Sequence, residues 1–279
     1  MIPQPQRNIV DLIGETSPYL FENADKIAFK DNPTEFPLHQ PFESFERENF
    51  SDFIKILTTM GSLNLVKEMK TEEKNYFLAE KLRIRRISHQ QPSGLLVAKI
   101  SPQLENHQKG KSLIEIRDDA NTLFQMEVDY YIFNEPSFKK IFEPHYNGET
   151  DAAFPSCTLP ETSLEYLNEN EFNVTVNGFT RDQCKGHFEN YQIVPAVYIA
   201  KCILKNVFKS APANTTETAA VEIENVEAFL NKAMPVDTAF KVNVSIFRLQ
   251  KNLKTYKCTV TDYANEYGHY FITLKNLIN

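Results

Sequence analysis

Residues 186–201, GHFENYQIVPAVYIAK, hold the types best suited to chemistry: His187 between a glycine and Phe188, and eight residues later a proline that opens an apolar helix. Pro195 suits the first helical position, because its missing N–H would be unpaired there and its φ is already helical. Backbone amides at such a start favour developing negative charge, so a histidine just outside it is well placed to move a proton beside them. Val197, Ile199, Ile203, Leu204, Val207 and Phe208 make the predicted helix 195–209 apolar on most sides, with Lys201, Lys205 and Lys209 in one stripe.

Other chemistries find no support. There is no G-x-S-x-G, no phosphate-cradling glycine loop and no H-E-x-x-H. Cys157, Cys184, Cys202 and Cys258 form no C-x-x-C pair or metal-ligand spacing, so no metal or cofactor is expected and the thiols are read as reduced. His39, beside prolines, and His269, in a strand, read as surface residues. Arg83, Arg85 and Arg86 read as a solvated strand face rather than a phosphate patch.

The chain of 279 residues suffices for one large or two ordinary domains. A net charge of −7 argues against non-specific nucleic-acid binding. No apolar run nears the roughly 20 residues that span a bilayer, and the start lacks the regions of a signal peptide. A cytoplasmic protein is expected, in which the glycosylation-like patterns at Asn173 and Asn214 are chance.

The elements that must position the site follow from periodicity. Residues 8–14 read as a short helix, 19–29 as extended, and 32–41, with three prolines, as loop. Ser51 is a candidate cap for a helix 52–69, with Phe53, Ile56, Leu57, Met60, Leu63 and Val66 at helical spacing. Alternating strands are predicted within 77–87, 94–100, 111–119 and 122–133. Residues 143–162 lack periodicity. A second pass then runs through a strand at 171–176, the helix 195–209, a polar loop at 210–218, and strands at 240–250, 253–264 and 268–278. IRDDAN (116–121) and VTDYAN (260–265) coincide under a shift of 144, with Asp118 over Asp262 and Asn121 over Asn265, and both suit hairpin turns. The expected domains are a half at 1–145, a linker at 146–170 and a half at 171–279.

Residues 186–195 resemble the active-site segment of the hot-dog-fold 3-hydroxyacyl-[acyl-carrier-protein] dehydratases, Gly-His-Phe-Pro-Gly-x-Pro-x-x-Pro-Gly, in Gly186, His187, Phe188 and Pro195. VEAFLNKAMPVDTAF (226–240) is similar to the family's Phe-x-x-Pro-Val-x-Pro-Gly-Asp, through Phe229, Pro235 and Asp237. LIGETSPYLFENADKI resembles, faintly, the family's opening. Glu189, Asn190, Gln192 and Ala196 depart from the pattern, and Lys201 stands where the family has its acid.

The resemblance implies an α+β double hot dog, each half a curved antiparallel sheet around a long helix. It implies that His187 is the base, that the Ala196 amide is the oxyanion donor, and that Phe188, Tyr198 and Lys201 line the substrate site. The partner would be an acyl carrier protein or acyl thioester, presented on phosphopantetheine and docked by Lys205 and Lys209. Further assembly as a homodimer or with another hot-dog protein is open. The first half's helix offers Thr58, Thr59, Ser62 and Asn64, and Asp52 too early, so the acid is unidentified. Dehydration is the leading expectation, a non-catalytic acyl-binding subunit the alternative, and thioester hydrolysis a third.

Overall fold

The computed structural model describes residues 8–22, 24–26, 33–148, 158–210 and 221–277. The polar loop beyond Ser210, Asn214, Cys157, residues 149–157 of the expected linker and 27–29 of the extended segment lie outside them. In chain order the elements are β1 (Thr34–Leu38), α1 (Phe50–Met69), β2 (Asn75–Arg86), β3 (Leu96–Asn106), β4 (Lys109–Arg117), β5 (Thr122–Asn134) and α2 (Glu135–Ile141). They continue as β6 (Thr162–Asn168), β7 (Glu171–Val176), β8 (Ile193–Val194), α3 (Ala196–Ser210), β9 (Val221–Leu230), β10 (Met234–Pro235), β11 (Phe240–Gln250), β12 (Leu253–Thr261) and β13 (Glu266–Asn276). Eleven strands form one sheet in the order β1-β3-β4-β5-β2-β9-β13-β12-β11-β7-β6, and β8 pairs with β10 apart from it.

The sheet repeats itself about its middle. β3, β4 and β5 open at Leu96, Lys109 and Thr122, and β11, β12 and β13 open at Phe240, Leu253 and Glu266, each 144 residues later. The two series meet where β2 pairs antiparallel with β9, and there Arg83 faces Glu227, its own counterpart under that shift. A residue opposite its equivalent marks a local two-fold axis, the relation of an isologous dimer. An ion pair at 3.1 Å joins the two side chains across it. The Asp–Asn echoes are the β4–β5 and β12–β13 turns: Asp118 Oδ1 accepts from the amides of Ala120 and Asn121, and Asp262 Oδ1 from those of Ala264 and Asn265.

α1 packs on β3 and β4, and on α3. Phe53, Leu57, Leu63 and Leu65 are fully buried, each worth about 1.5–3 kcal/mol on burial. The helix closes on Lys70 in the left-handed region. Its start differs from expectation: Asn49 is the cap residue, and Ser51, already inside the helix, donates to the Glu48 carbonyl.

Three further segments differ. Residues 34–38 form β1 despite Pro37, because β1 is an edge strand, where a missing N–H costs little. Residues 162–168, expected in the linker, form β6 on the opposite edge, an exposed strand whose burial does not alternate. Residues 24–26, within the expected extended segment, form a turn of 3₁₀ helix. α2 was not foreseen; it is a short helix held by buried Phe138, and Asn134 caps it by accepting from the Ser137 amide.

Candidate active site between the helix starts

The two motif stretches meet in space. Val194 pairs with Met234 and Ile193 with Pro235, which fixes the entry to α3 against the segment following β9. The Pro195 carbonyl accepts the first helical bonds, from Tyr198 and Ile199 at 2.9 and 3.3 Å, so Pro195 caps α3 and Ala196 begins it, one position later than expected. That leaves the amides of Ala196 and Val197 without a partner within the helix. Tyr270 donates to the Ala196 carbonyl at 3.0 Å and steadies this end.

His187 stands before that start, in an irregular passage where backbone geometry is demanding. Gly186 has φ +84°, and a Cβ there would lie 2.4 Å from the Thr16 carbonyl oxygen and 2.8 Å from the Tyr19 nitrogen. Only glycine allows this approach of the N-terminal segment. Asn190, at the position of the family's second glycine, keeps a left-handed φ of 64°, which asparagine tolerates. Phe188 shares that conformation and is pinned by Tyr76 and Phe138.

The close approach has a consequence for chemistry. Thr16 donates to the Gly186 carbonyl at 2.8 Å, and Glu15 and His187 are partners in an isolated antiparallel bridge. Residues directly opposed in such a pair project to the same face, with Cβ atoms about 4.5–5.5 Å apart. The side chains of Glu15 and His187 thus project to one face beside the start of α3. Both line one cavity of ≈ 290 Å³, shared by Ala196 and Val197 and, from α1, by Ile54, Thr58 and Ser62. Its wall is otherwise largely apolar, and it reaches the exposed residues Ile141, Asn231 and Lys232.

Burial sets the ionisation of the pair. Glu15 is pushed up to about 7 by desolvation, against the opposing hydrogen bond from Thr59 and the charge of Lys55. Thr59 Oγ1 donates to Glu15 Oε2 at 2.6 Å. His187 is pushed down to about 4, again by desolvation first; its bond to Ile193 opposes the shift and Lys55 adds to it. Nδ1 lies 3.1 Å from the Ile193 carbonyl, which can only accept, so Nδ1 carries the proton and Nε2 is left as an acceptor. Its ring packs on Tyr19 and Phe188.

Of the residues singled out from sequence, His187, Phe188 and Ala196 line the cavity. Lys201 does not: its Nζ meets Asp52 Oδ2 of α1 at 2.6 Å. Tyr198 lies behind the wall, against Tyr19 and Phe179. Lys205 and Lys209 follow Ala196 by roughly 13 and 20 Å along α3, away from the cavity. Glu15 was missed. The one cluster of metal-ligand types among the described residues, His89 with Glu222 and Glu224, lies at the β2–β9 seam and already holds the Lys275 ammonium, 3.0 Å from His89 Nε2.

No protein-family model matches this chain, and no curated protein does. Solved structures do match in shape. A putative oleoyl thioesterase from Lactobacillus plantarum superposes with a TM-score of 0.58 at 10% identity, over 88% of this chain and 96% of that one. An acyl-CoA thioesterase II, TesB2, from Mycobacterium marinum gives 0.51 at 8% identity, over 82% and 90%. A 12:0-ACP thioesterase from Umbellularia californica gives 0.51 at 8%, over 81% and 87%. At such identities the likeness is one of fold, and the fold is the hot dog. Among the described residues no helix is long and apolar enough to cross a membrane.

Proposed function

We propose that the chain is a double hot dog that hydrolyses acyl thioesters, with Glu15 as general base. The two-fold relation at Arg83 and Glu227 supports the tandem reading. One observation carries the function: a buried carboxyl held opposite His187, at the start of α3, in a largely apolar cavity. The acyl chain lies in the apolar part and the thioester carbonyl faces the amides of Ala196 and Val197. Water between Glu15 and His187 attacks the carbonyl carbon and Glu15 takes one of its protons, while the O–H that remains on the attacking oxygen donates a hydrogen bond to Nε2 of His187. The first-turn amides stabilise the oxyanion. Collapse breaks the C–S bond, and the proton held by Glu15 passes to the departing sulfur, giving acid and thiol.

Hydrolysis is preferred to dehydration on basicity. A base near 7 suits activation of water at neutral pH. Dehydration asks His187, held near 4, to remove a carbon-bound proton. A thiolate also leaves with little help, whereas a hydroxyl needs a donor. The thioesterases of similar shape accord with this order, which reverses the one expected from sequence. Dehydration remains a second reading, favoured by Gly186, His187 and Phe188 and by Glu15 as the donor that Lys201 cannot be. A carboxyl opposite His187 also favours a catalytic role over the non-catalytic reading. A coenzyme or carrier would present the thioester at the Ile141–Lys232 mouth, not at Lys205 and Lys209.

The test is product analysis with acyl-coenzyme A and acyl-carrier substrates of several lengths, including β-hydroxy forms. Free thiol that disappears in Glu15→Gln is expected. An intact thioester that loses water would select the second reading, and no turnover of any substrate would remove both.

A further inference from the structure

A second cavity, of ≈ 240 Å³, lies at the far end of the second half, among β6, β7 and the β11–β12 hairpin, with Ser210 of α3 beside it. Its charges are unusual for an acidic chain. Arg248 and Lys254 both line it and are directly opposed across β11 and β12. Like charges at opposed positions destabilise a sheet. Among the described residues neither makes an ion pair. Glu169, a carboxylate in the same wall, accepts from Asn170 at 3.5 Å and pairs with neither cation. Desolvation, and then the charge of Arg248, hold the Lys254 ammonium below its ordinary value.

A polar group also points in without a partner. Tyr256 is 1% exposed and lines the cavity, yet its hydroxyl makes no hydrogen bond among the described residues. A hydroxyl on the cavity wall is free to donate to a group bound there. Tyr166 and Phe172 supply a ring pair, 5.9 Å between centroids, on the same wall.

The counterpart hairpin lacks the opposed cations. The residues 144 positions earlier are Leu104 and Gly110, themselves opposed across β3 and β4. Leu65 of α1 packs over Gly110, where a Cβ would lie 2.8 Å from it. The opposed cations are therefore not required by the fold, and in the place of Tyr256 the first half has Ser112, whose hydroxyl donates to the Gly61 carbonyl at 3.2 Å.

We propose that this cavity binds a small organic anion, an oxyanion head on an apolar or aromatic body. Arg248 and Lys254 neutralise the head, the Tyr256 hydroxyl donates to it, and the rings of Tyr166 and Phe172 cover the body. The site is separate from the Glu15–His187 cavity and does not depend on the activity proposed there.

Calorimetric titration of the full chain with benzoate and with phenyl phosphate tests it, inorganic phosphate serving as the probe without a body. Saturable binding of about one equivalent of either aromatic anion is expected, weaker for inorganic phosphate and weakened by salt. The Arg248→Met, Lys254→Met double variant should lose at least about tenfold in affinity and Tyr256→Phe about threefold, while Glu15→Gln binds as wild type. Removing one of two opposed like charges should not unfold the sheet, so Lys254→Gln alone provides a folded comparison. No saturable binding to wild type would overturn the proposal, as would binding unchanged in the double variant.

Discussion

The two halves share a scaffold, and their helix starts differ. Under the 144-residue shift Asp52 of α1 corresponds to Ala196 of α3, Phe53 to Val197 and Phe124 to Gly268. At the start of α1, Phe42, Phe45, Phe50, Phe53 and Phe124 pack ring against ring, with Phe45 and Phe53 centroids 5.0 Å apart. Lys201 reaches across from α3 to neutralise Asp52. At the start of α3 the same place is a cavity with Glu15 and His187 in its wall. The 144-residue repeat thus gives two corresponding positions; one is filled with packed rings, and the other is open with Glu15 and His187 in its wall.

The comparison can be broken at four points. Glu15→Gln should lower turnover by about 10²–10⁴, the usual worth of a general base, with folding intact; steady-state thiol release measures it. Phe53→Ala should cost about 3–5 kcal/mol in denaturant unfolding without creating a second active site. Gly186→Ala, with its φ and the Thr16 carbonyl against it, should cost about 2 kcal/mol or more. It should also reduce turnover, because Glu15 is held by that contact. Lys201→Met should change stability by no more than about 1 kcal/mol, since the pair is partly exposed, and turnover by less than threefold, roughly the scatter of a remote surface change.

Stability should depend on pH with opposite signs for the two site residues. Glu15 is raised from 4.5 to about 7, so the folded state holds its proton more tightly and loses stability as pH rises through that window. His187 is lowered from 6.5 to about 4, so stability is lost as pH falls through that range. Glu15→Gln should therefore be more stable than wild type above pH 7, by at most about 3 kcal/mol.

Much of this was legible in sequence where a pattern is local. The strands 240–250 and 253–261, the turns at Asp118 and Asp262, and α3 follow from alternation, turn chemistry and Pro195. His187 beside α3 was legible because the motif holds both. Glu15 was not, since it lies 172 residues from His187 and is brought there by Gly186, whose need for closeness no period reveals. The signal was a carboxylate within LIGETSPYLFENADKI, a segment with only a weak pattern. Lys201 misled for the complementary reason: its position along α3 matched the acid's, but its partner on α1 is set by tertiary packing. β1 was hidden by Pro37, which only an edge strand accommodates.

The central claim is that Glu15 is the ionising group that works opposite His187. The most direct measurement is kcat/KM for thiol release by wild type and Glu15→Gln in parallel, from pH 5 to 9. The account predicts a wild-type rate that rises with pH and levels off above an apparent pKa of about 7, and a variant with at most a residual rate and no such step. A variant that keeps both the rate and the step would contradict it.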